Sequence, residues 1–251
     1  MKPSESPYHF LSAPATPTRG NVTVFVTDAL RQAIVTLDIE PGEVLDKGAI
    51  CERLGVSRFP VSEALARLQT EGLVDILPQR GSIVSLVKIA DVLEYMLIRK
   101  SLEAEAVRVV TGNHSAELIE ALQRSVSYQK AAVEIDDQKG FHAHDLEFHD
   151  FIFGDMRFSK VKGVIEQTRA NLDRARRLIL TPRRLSVTLA EHQAVLDGII
   201  AGDAPRASAA MRSHIDSVMA ELIEFATAHS ELFADGEMLR EDPSYATFPF
   251  G

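Results

Sequence analysis

Ala49-Ile50-Cys51-Glu52-Arg53-Leu54-Gly55-Val56-Ser57-Arg58-Phe59-Pro60-Val61-Ser62-Glu63-Ala64-Leu65-Ala66-Arg67-Leu68 encodes two short helices and the sharp turn between them. Ile50 and Leu54 lie four apart on one face of the first helix, Gly55 supplies the left-handed residue that ends it, and Val56 is the apolar plug under the turn. Ser57 caps the second helix, and its hydroxyl can satisfy first-turn amides. Pro60 sits where a missing N–H costs little, and Val61, Leu65 and Leu68 repeat at i, i+4, i+7 as a buried face. This is a helix-turn-helix, the arrangement that lays its second helix in a DNA major groove. A turn of this length is equally compatible with an ordinary helical hairpin in an all-α core.

The flanking sequence separates the two readings. After Glu71-Gly72, the run Leu73-Val74-Asp75-Ile76-Leu77 alternates as a strand, Pro78-Gln79-Arg80-Gly81 turns, and Ser82 to Val87 returns. A two-stranded ribbon directly after the second helix is a wing. Upstream, Ala29, Leu30, Ala33, Ile34 and Leu37 make an amphipathic helix, and Pro41-Gly42 turns the chain back toward Leu45. Residues 21–88 therefore predict a winged-helix DNA-binding domain.

The runs Ile39 to Leu45, Leu54 to Leu65, Glu71 to Val74 and Arg80-Gly81 closely resemble the N-terminal domain of GntR-family transcriptional regulators. The chain departs from that pattern at Ser62, where the family usually has arginine, and at Phe59, where it often has a small hydroxyl residue. Both lie on the exposed first turns of the recognition helix. The resemblance, with the helix-turn-helix reading, makes Lys47, Ser57, Arg58, Phe59, Ser62, Arg67, Arg80 and Gly81 the expected DNA-contacting set. The bland alternative for Arg58 is a surface cation in a helix cap.

Composition bounds the rest. The 251 residues suffice for two domains, and 45% hydrophobic residues suffice for real cores. Cys51 is the one cysteine, which excludes an intrachain disulfide and suits a reducing cytoplasm. No apolar run approaches the ~20 residues of a membrane span, and no signal-peptide pattern opens the chain. The net charge of −9 excludes indiscriminate nucleic-acid binding. Within residues 21–88, seven Lys/Arg face nine Asp/Glu, so any DNA footprint must be local, with several of the available cations, Lys47, Arg53, Arg58, Arg67 and Arg80, converging on one face.

Residues 1–20, with four prolines, three serines and two threonines, read as a disordered leader. From residue 89 to 232 the sequence holds about six amphipathic helices, near 91–111, 115–134, 138–154, 158–180, 184–201 and 204–231, as an antiparallel bundle. The tail, 233–251, reads as irregular. The fold expected overall is mainly α: a winged helix followed by an all-α bundle.

Polar residues on the apolar stripes carry the bundle's chemistry. Asp145 and His149 share one face of their helix between Phe148 and Ile152, His192 precedes Leu196 and Ile199, and His214 follows Met211. One carboxylate and three imidazoles from three helices suit a divalent transition metal with open positions, zinc, nickel, manganese and iron not being distinguished. Each alone reads more readily as a satisfied core histidine or a helical ion pair; four together, buried without a cation, would be costly.

The segments Asp145-Leu146-Glu147-Phe148-His149, Glu191 to Leu196 and Gly202 to His214 also resemble the FCD ligand-binding domain of the FadR subfamily of GntR regulators. That resemblance implies that Asp145, His149, His192 and His214 are metal ligands and that Arg99 faces the pocket and pairs with an anionic effector. The stretch Phe151 to Asp155 is shorter than the family's, which changes the pocket wall there. The alternative for Arg99 is a surface ion pair with Glu103. Arg174, Arg176 and Arg177 read as a solvated face, and His142 and His144 as surface residues.

The function expected is a cytoplasmic, homodimeric repressor that is not an enzyme, binding operator DNA under control of a small organic acid held at a metal. The rival is a helical metalloenzyme with an accessory winged helix, against which stand the missing Glu-x-x-His repeats and the lack of a second acid-base pair. A third reading makes the winged helix a protein-interaction module.

Overall fold

The computed structural model describes residues 8–12, 21–79, 81–156 and 159–242. The chain divides into two compact units, residues 1–88 with 231–234, and residues 89–230 with 235–251.

In the first unit, α1 (Val22–Val35) buries Val26, Leu30, Ala33 and Ile34. It stops at Val35, so Leu37 lies outside it, at φ +60° in the turn toward Ile39. Strand β1 (Val44–Leu45) leads into α2 (Lys47–Leu54), where the Asp46 carboxylate accepts from the Gly48 and Ala49 amides at 2.7 and 3.0 Å. Gly55, at φ +66°, ends α2 in the left-handed geometry the turn needs. Helix α3 (Arg58–Thr70) buries Pro60, Val61, Ala64, Leu65 and Leu68. Ser57 holds the N-cap position in extended geometry, but its side chain makes no capping hydrogen bond, contrary to expectation.

Strands β2 (Val74–Leu77) and β3 (Gly81–Val84) form the wing, registered Val74 to Val84 and Leu77 to Gly81. The sheet has three strands in the order β1-β3-β2, not two, because Val44 and Leu45 pair with Ile83 and Ser82. Two residues are too short a run to show alternation. Of the expected leader, 1–20, residues 8–12 are described and are ordered, while 1–7 and 13–20 lie outside the described residues. Tyr8 and Leu11 are buried, Tyr8 Oη accepts from the Asp46 amide at 2.9 Å, and Arg53 donates to the Leu11 and His9 carbonyls at 2.7 and 2.6 Å. Two apolar anchors and an arginine clamp hold residues 8–11 in place.

The second unit is a helical bundle: α4 (Ile89–Gly112), α5 (Ala116–Glu134), α6 (Gln138–Met156), α7 (Ser159–Leu178), α8 (Pro182–Ile200), α9 (Ala204–Ala228) and the short α10 (Gly236–Glu241). Helix α4 packs on α9, α6 and α7, while α5 packs on α6 and α8, and α8 on α9. At Gly198, a Cβ would stand 2.7 Å from the Ala207 Cα, so the missing side chain is what lets α8 and α9 approach. The tail is not wholly irregular. It contains α10, and before it the Asp235 carboxylate accepts from the Ile89 and Ala90 amides at 2.8 and 3.0 Å, capping α4 from far along the chain.

Candidate metal centre and nucleic-acid interface

Helix α6 brings Asp145 and His149 to one face by their spacing of four, and α8 and α9 contribute His192 and His214. One ligand atom from each of the four lies within 4.8 Å of the others. All are enclosed: Asp145 is 1% exposed, His149 3%, His192 and His214 0%. Phe148 stacks on the His192 ring, centroids 4.2 Å apart and 7° from parallel, fixing its plane.

What holds each of these side chains explains which atom it could offer to a metal. His192 Nδ1 stands 2.8 Å from Gln129 Oε1, an acceptor, so Nδ1 carries the proton and Nε2 keeps a lone pair. His214 Nδ1 likewise faces the Glu191 carboxylate at 2.8 Å. The two Nε2 atoms are 3.4 Å apart, lone pair toward lone pair, a geometry that a shared cation relieves. Glu103 of α4 lies against His149 Nδ1, and Arg176 Nη2 donates to Asp145 Oδ2 at 2.6 Å. Asp145 Oδ1 and His149 Nε2 are buried with no hydrogen-bond partner among the described residues. These orphaned atoms, the facing nitrogens and a one-carboxylate, three-imidazole donor set fit a divalent transition metal.

Electrostatics agrees with neutral His192 and His214 and with ionised acids. Burial pushes His214 down to about 4 despite the Glu191 contact, and burial with His214 beside it holds His192 well below the usual imidazole range. Burial alone would raise Asp145, but the Arg176 guanidinium beside it outweighs that and holds the carboxyl well below its ordinary value. Burial opposes ionisation of Glu103 too, yet Arg99 and His149 bring it down to about 2.

The packing of the bundle corrects several expectations about charge. Arg99 is buried, and its partner Glu103 is buried with it, so their i, i+4 pair is an interior one rather than a surface one. Arg174 and Arg176 are buried and Arg177 is half-buried, because α7 turns this run toward α4 and α6 instead of solvent. His142 is buried as well, next to Phe141 on the inner side of α6; His144 is half-buried and pairs with Glu147. Glu103, Gln129, Arg176, Arg184 and Glu191 are the site residues that periodicity did not single out.

A cavity of about 20 Å³ beside His149 is lined by Arg99, Glu103, Leu146, Phe153 and Asp173, and another of about 10 Å³ beside Asp145 by Phe141, Arg176, Arg184 and Thr188. Each has room for no more than a water. A wider, open groove of about 600 Å³ lies between α5 and α6, lined by Leu118, Arg124, Phe151 and Asp155 among others, but none of the four cluster residues reaches it.

In the winged helix, Ser57, Arg58, Phe59 and Ser62 are exposed on the first turns of α3, Phe59 at 73%. Arg67 is exposed at the other end of the helix, about 13 Å along its axis, where it lines a shallow groove with Val24, Thr27 and Arg31 of α1. Lys47 is half-buried at the start of α2, Gly81 is exposed at φ +90°, and Arg80 lies outside the described residues. Arg53 is engaged by the Leu11 and His9 carbonyls, so it does not join the exposed cations of α3.

Residues 23–84 match the bacterial regulatory proteins of the gntR family, and residues 94–217 match the FCD domain. The chain is 33% identical over 207 residues to an HTH-type transcriptional regulator in an unstable DNA locus of Streptomyces ambofaciens, covering 82% of this chain and 86% of the relative. It is 27% identical to the HTH-type transcriptional repressor RspR of Escherichia coli K12, over 82% and 91% of the two chains. Among solved structures, a GntR transcriptional regulator from Rhodococcus sp. RHA1 matches with a TM-score of 0.70 at 20% identity, over 80% of this chain and 97% of that one. E. coli McbR/YncC matches with a TM-score of 0.69 at 22% identity, over 81% and 97%, and both likenesses concern the fold.

Proposed function

The chain belongs to the GntR family of bacterial regulatory proteins and carries an FCD domain, so it is a DNA-binding transcriptional regulator and not an enzyme; from that premise we propose that it is a cytoplasmic, homodimeric repressor whose operator affinity is set by a small carboxylate bound at a divalent metal. The observation that carries the metal reading is the convergence of one donor atom from each of four buried residues within 4.8 Å, in a cluster where Asp145 Oδ1 and His149 Nε2 are orphaned. Asp145, His149, His192 and His214 would hold the ion. It would supply a Lewis-acidic anchor for a carboxylate oxygen, with about two positions left in an octahedral shell.

The chain's own residues do the rest. Gln129, Glu191 and Glu103 orient the imidazoles, Phe148 fixes one ring, and Arg99 offers a charge-assisted pair to the effector's far end, in competition with Glu103. Because the adjoining cavities admit no more than water, an effector of several atoms enters only when α4, α6 or α7 gives way. Such a displacement is the two-state element that coupling requires, typically worth 1–3 kcal/mol. On the DNA side, Ser57 and Arg58 would meet bases or phosphates, Phe59 a thymine methyl, and Gly81 of the wing, with Arg80, the neighbouring minor groove. A palindromic site and two copies follow from the few base pairs one helix reads. Repression is supported by the similarity to RspR.

The combined variant His192→Ala with His214→Ala is expected to lose bound metal, read by elemental analysis, and to lose effector response in gel-shift while still shifting the operator. Stoichiometric metal with a normal effector response in that protein would overturn the four-residue site.

A further inference from the structure

Three carboxylates serve the cluster, one as a ligand and two behind imidazoles, and each is matched by one buried arginine. Asp145 holds Arg176 at 2.6 Å, Glu103 holds Arg99, and Glu191 holds Arg184 at 2.5 Å. All three arginines are almost wholly enclosed, and Arg184 is further fixed by Thr188 and Ser217. Asp173 and Arg174, both buried on α7, add one charge of each sign. Asp150, half-buried, also lines the cavity beside His149. The three buried pairs themselves are electrically closed before any metal enters.

Imidazoles ligate only as neutral rings, so a divalent ion brings two positive charges that none of the three arginine-paired carboxylates is left to balance. In a site shut off from water such an excess is poorly screened. A site with three ligating carboxylates would accept the same ion without help; this one has a single carboxylate ligand, already held on its Oδ2 side by an arginine. Resting on the metal reading above, we propose that the centre loads a divalent metal together with a dianion, a small dicarboxylate, as one coupled pair, and that Arg99, Arg176 and Arg184 impose this requirement. The effector's second charge then does more than add a contact. It is the counter-ion without which the metal does not stay.

The experiment uses the full chain stripped of metal, with free Zn²⁺ fixed by a zinc buffer at constant ionic strength. Zinc affinity is measured in chloride, in a panel of monoanions (acetate, lactate, butyrate) and in a panel of dianions (malonate, succinate, malate). At least one dianion should tighten zinc tenfold or more while monoanions change it less than twofold, and zinc should tighten that dianion by the same factor. Arg176→Gln and Arg184→Gln, each checked for folding by circular dichroism, should bind zinc more tightly than the parent in chloride and depend less on the dianion. A merely structural arginine would weaken zinc binding when removed. Zinc bound as tightly in chloride or in a monoanion as with every dianion would overturn the coupling while leaving the metal site standing. Absence of zinc binding under any anion would overturn both.

Discussion

The first turns of α3 and the inner face of α6 put similar spacing to opposite use. In α3 the apolar residues Val61, Leu65 and Leu68 go inward, and the residues assigned to DNA stand in solvent. In α6 the proposed metal ligands Asp145 and His149 go inward themselves, between Phe141, Phe148 and Ile152. The function proposed for α3 is therefore nearly independent of folding, whereas on α6 each residue proposed as a ligand is also a buried polar group that must be satisfied. The first arrangement tolerates change in what it reads; the second ties recognition to stability.

Asp145→Ala strains that comparison most. It removes the ligand and leaves Arg176 buried without its carboxylate, so denaturant unfolding of the metal-free protein should show a loss of about 3–5 kcal/mol. A loss under about 1 kcal/mol would mean the cluster is less closed than its burial indicates. Arg58→Ala should do the reverse, costing about 1–3 kcal/mol of operator affinity, with stability unchanged within about 0.5 kcal/mol. Operator affinity intact in that variant would show that α3 docks elsewhere.

Gln129→Leu sharpens the picture of ligand support. Metal affinity should fall roughly 10- to 100-fold as His192 loses the acceptor that sets its tautomer, and Gln129→Glu, which keeps an acceptor, should recover most of it. Equal loss in both would point to packing rather than orientation. The smallest effect is expected at Asp46→Ala, where two capping bonds to α2 disappear at a cost of about 1 kcal/mol. Thermal melting reads that shift; no shift would mean that water replaces the cap.

The same contrast decides what could be read from sequence. An exposed functional residue on an amphipathic helix is framed by apolar neighbours, and Ser57, Arg58, Phe59 and Ser62 were legible against Pro60, Val61 and Leu65. The four cluster residues were legible as violations, polar groups on apolar stripes. Their supports were not. Glu103 stands four residues from Arg99, the spacing of any solvated ion pair, and nothing local tells that α4 is covered on that side. Spacing is no better guide in α7, where Arg174, Arg176 and Arg177 look like a basic surface until α4 and α6 are packed against them. Gln129 carries no signal of its own, since its role exists only once α5 meets α8. Tyr8 and Leu11 were hidden by the prolines around them, and β1 by its length.

The clamp that closes the first unit has a bearing on how such proteins can be taken apart. Phe233 forms a parallel bridge with Val87, and the Ala234 amide donates to the Val87 carbonyl at 2.9 Å, while the very next residue, Asp235, caps α4. Neither unit is therefore a continuous piece of chain. A single cut at residue 88 yields one fragment without the partner of its last bridge, and a cut before residue 231 deprives both halves at once. Domain shuffling by simple fusion at the junction would leave a ragged seam on each side, and a functional chimera needs three crossover points: after residue 88, just past the end of α9 at residue 230, and again after residue 234.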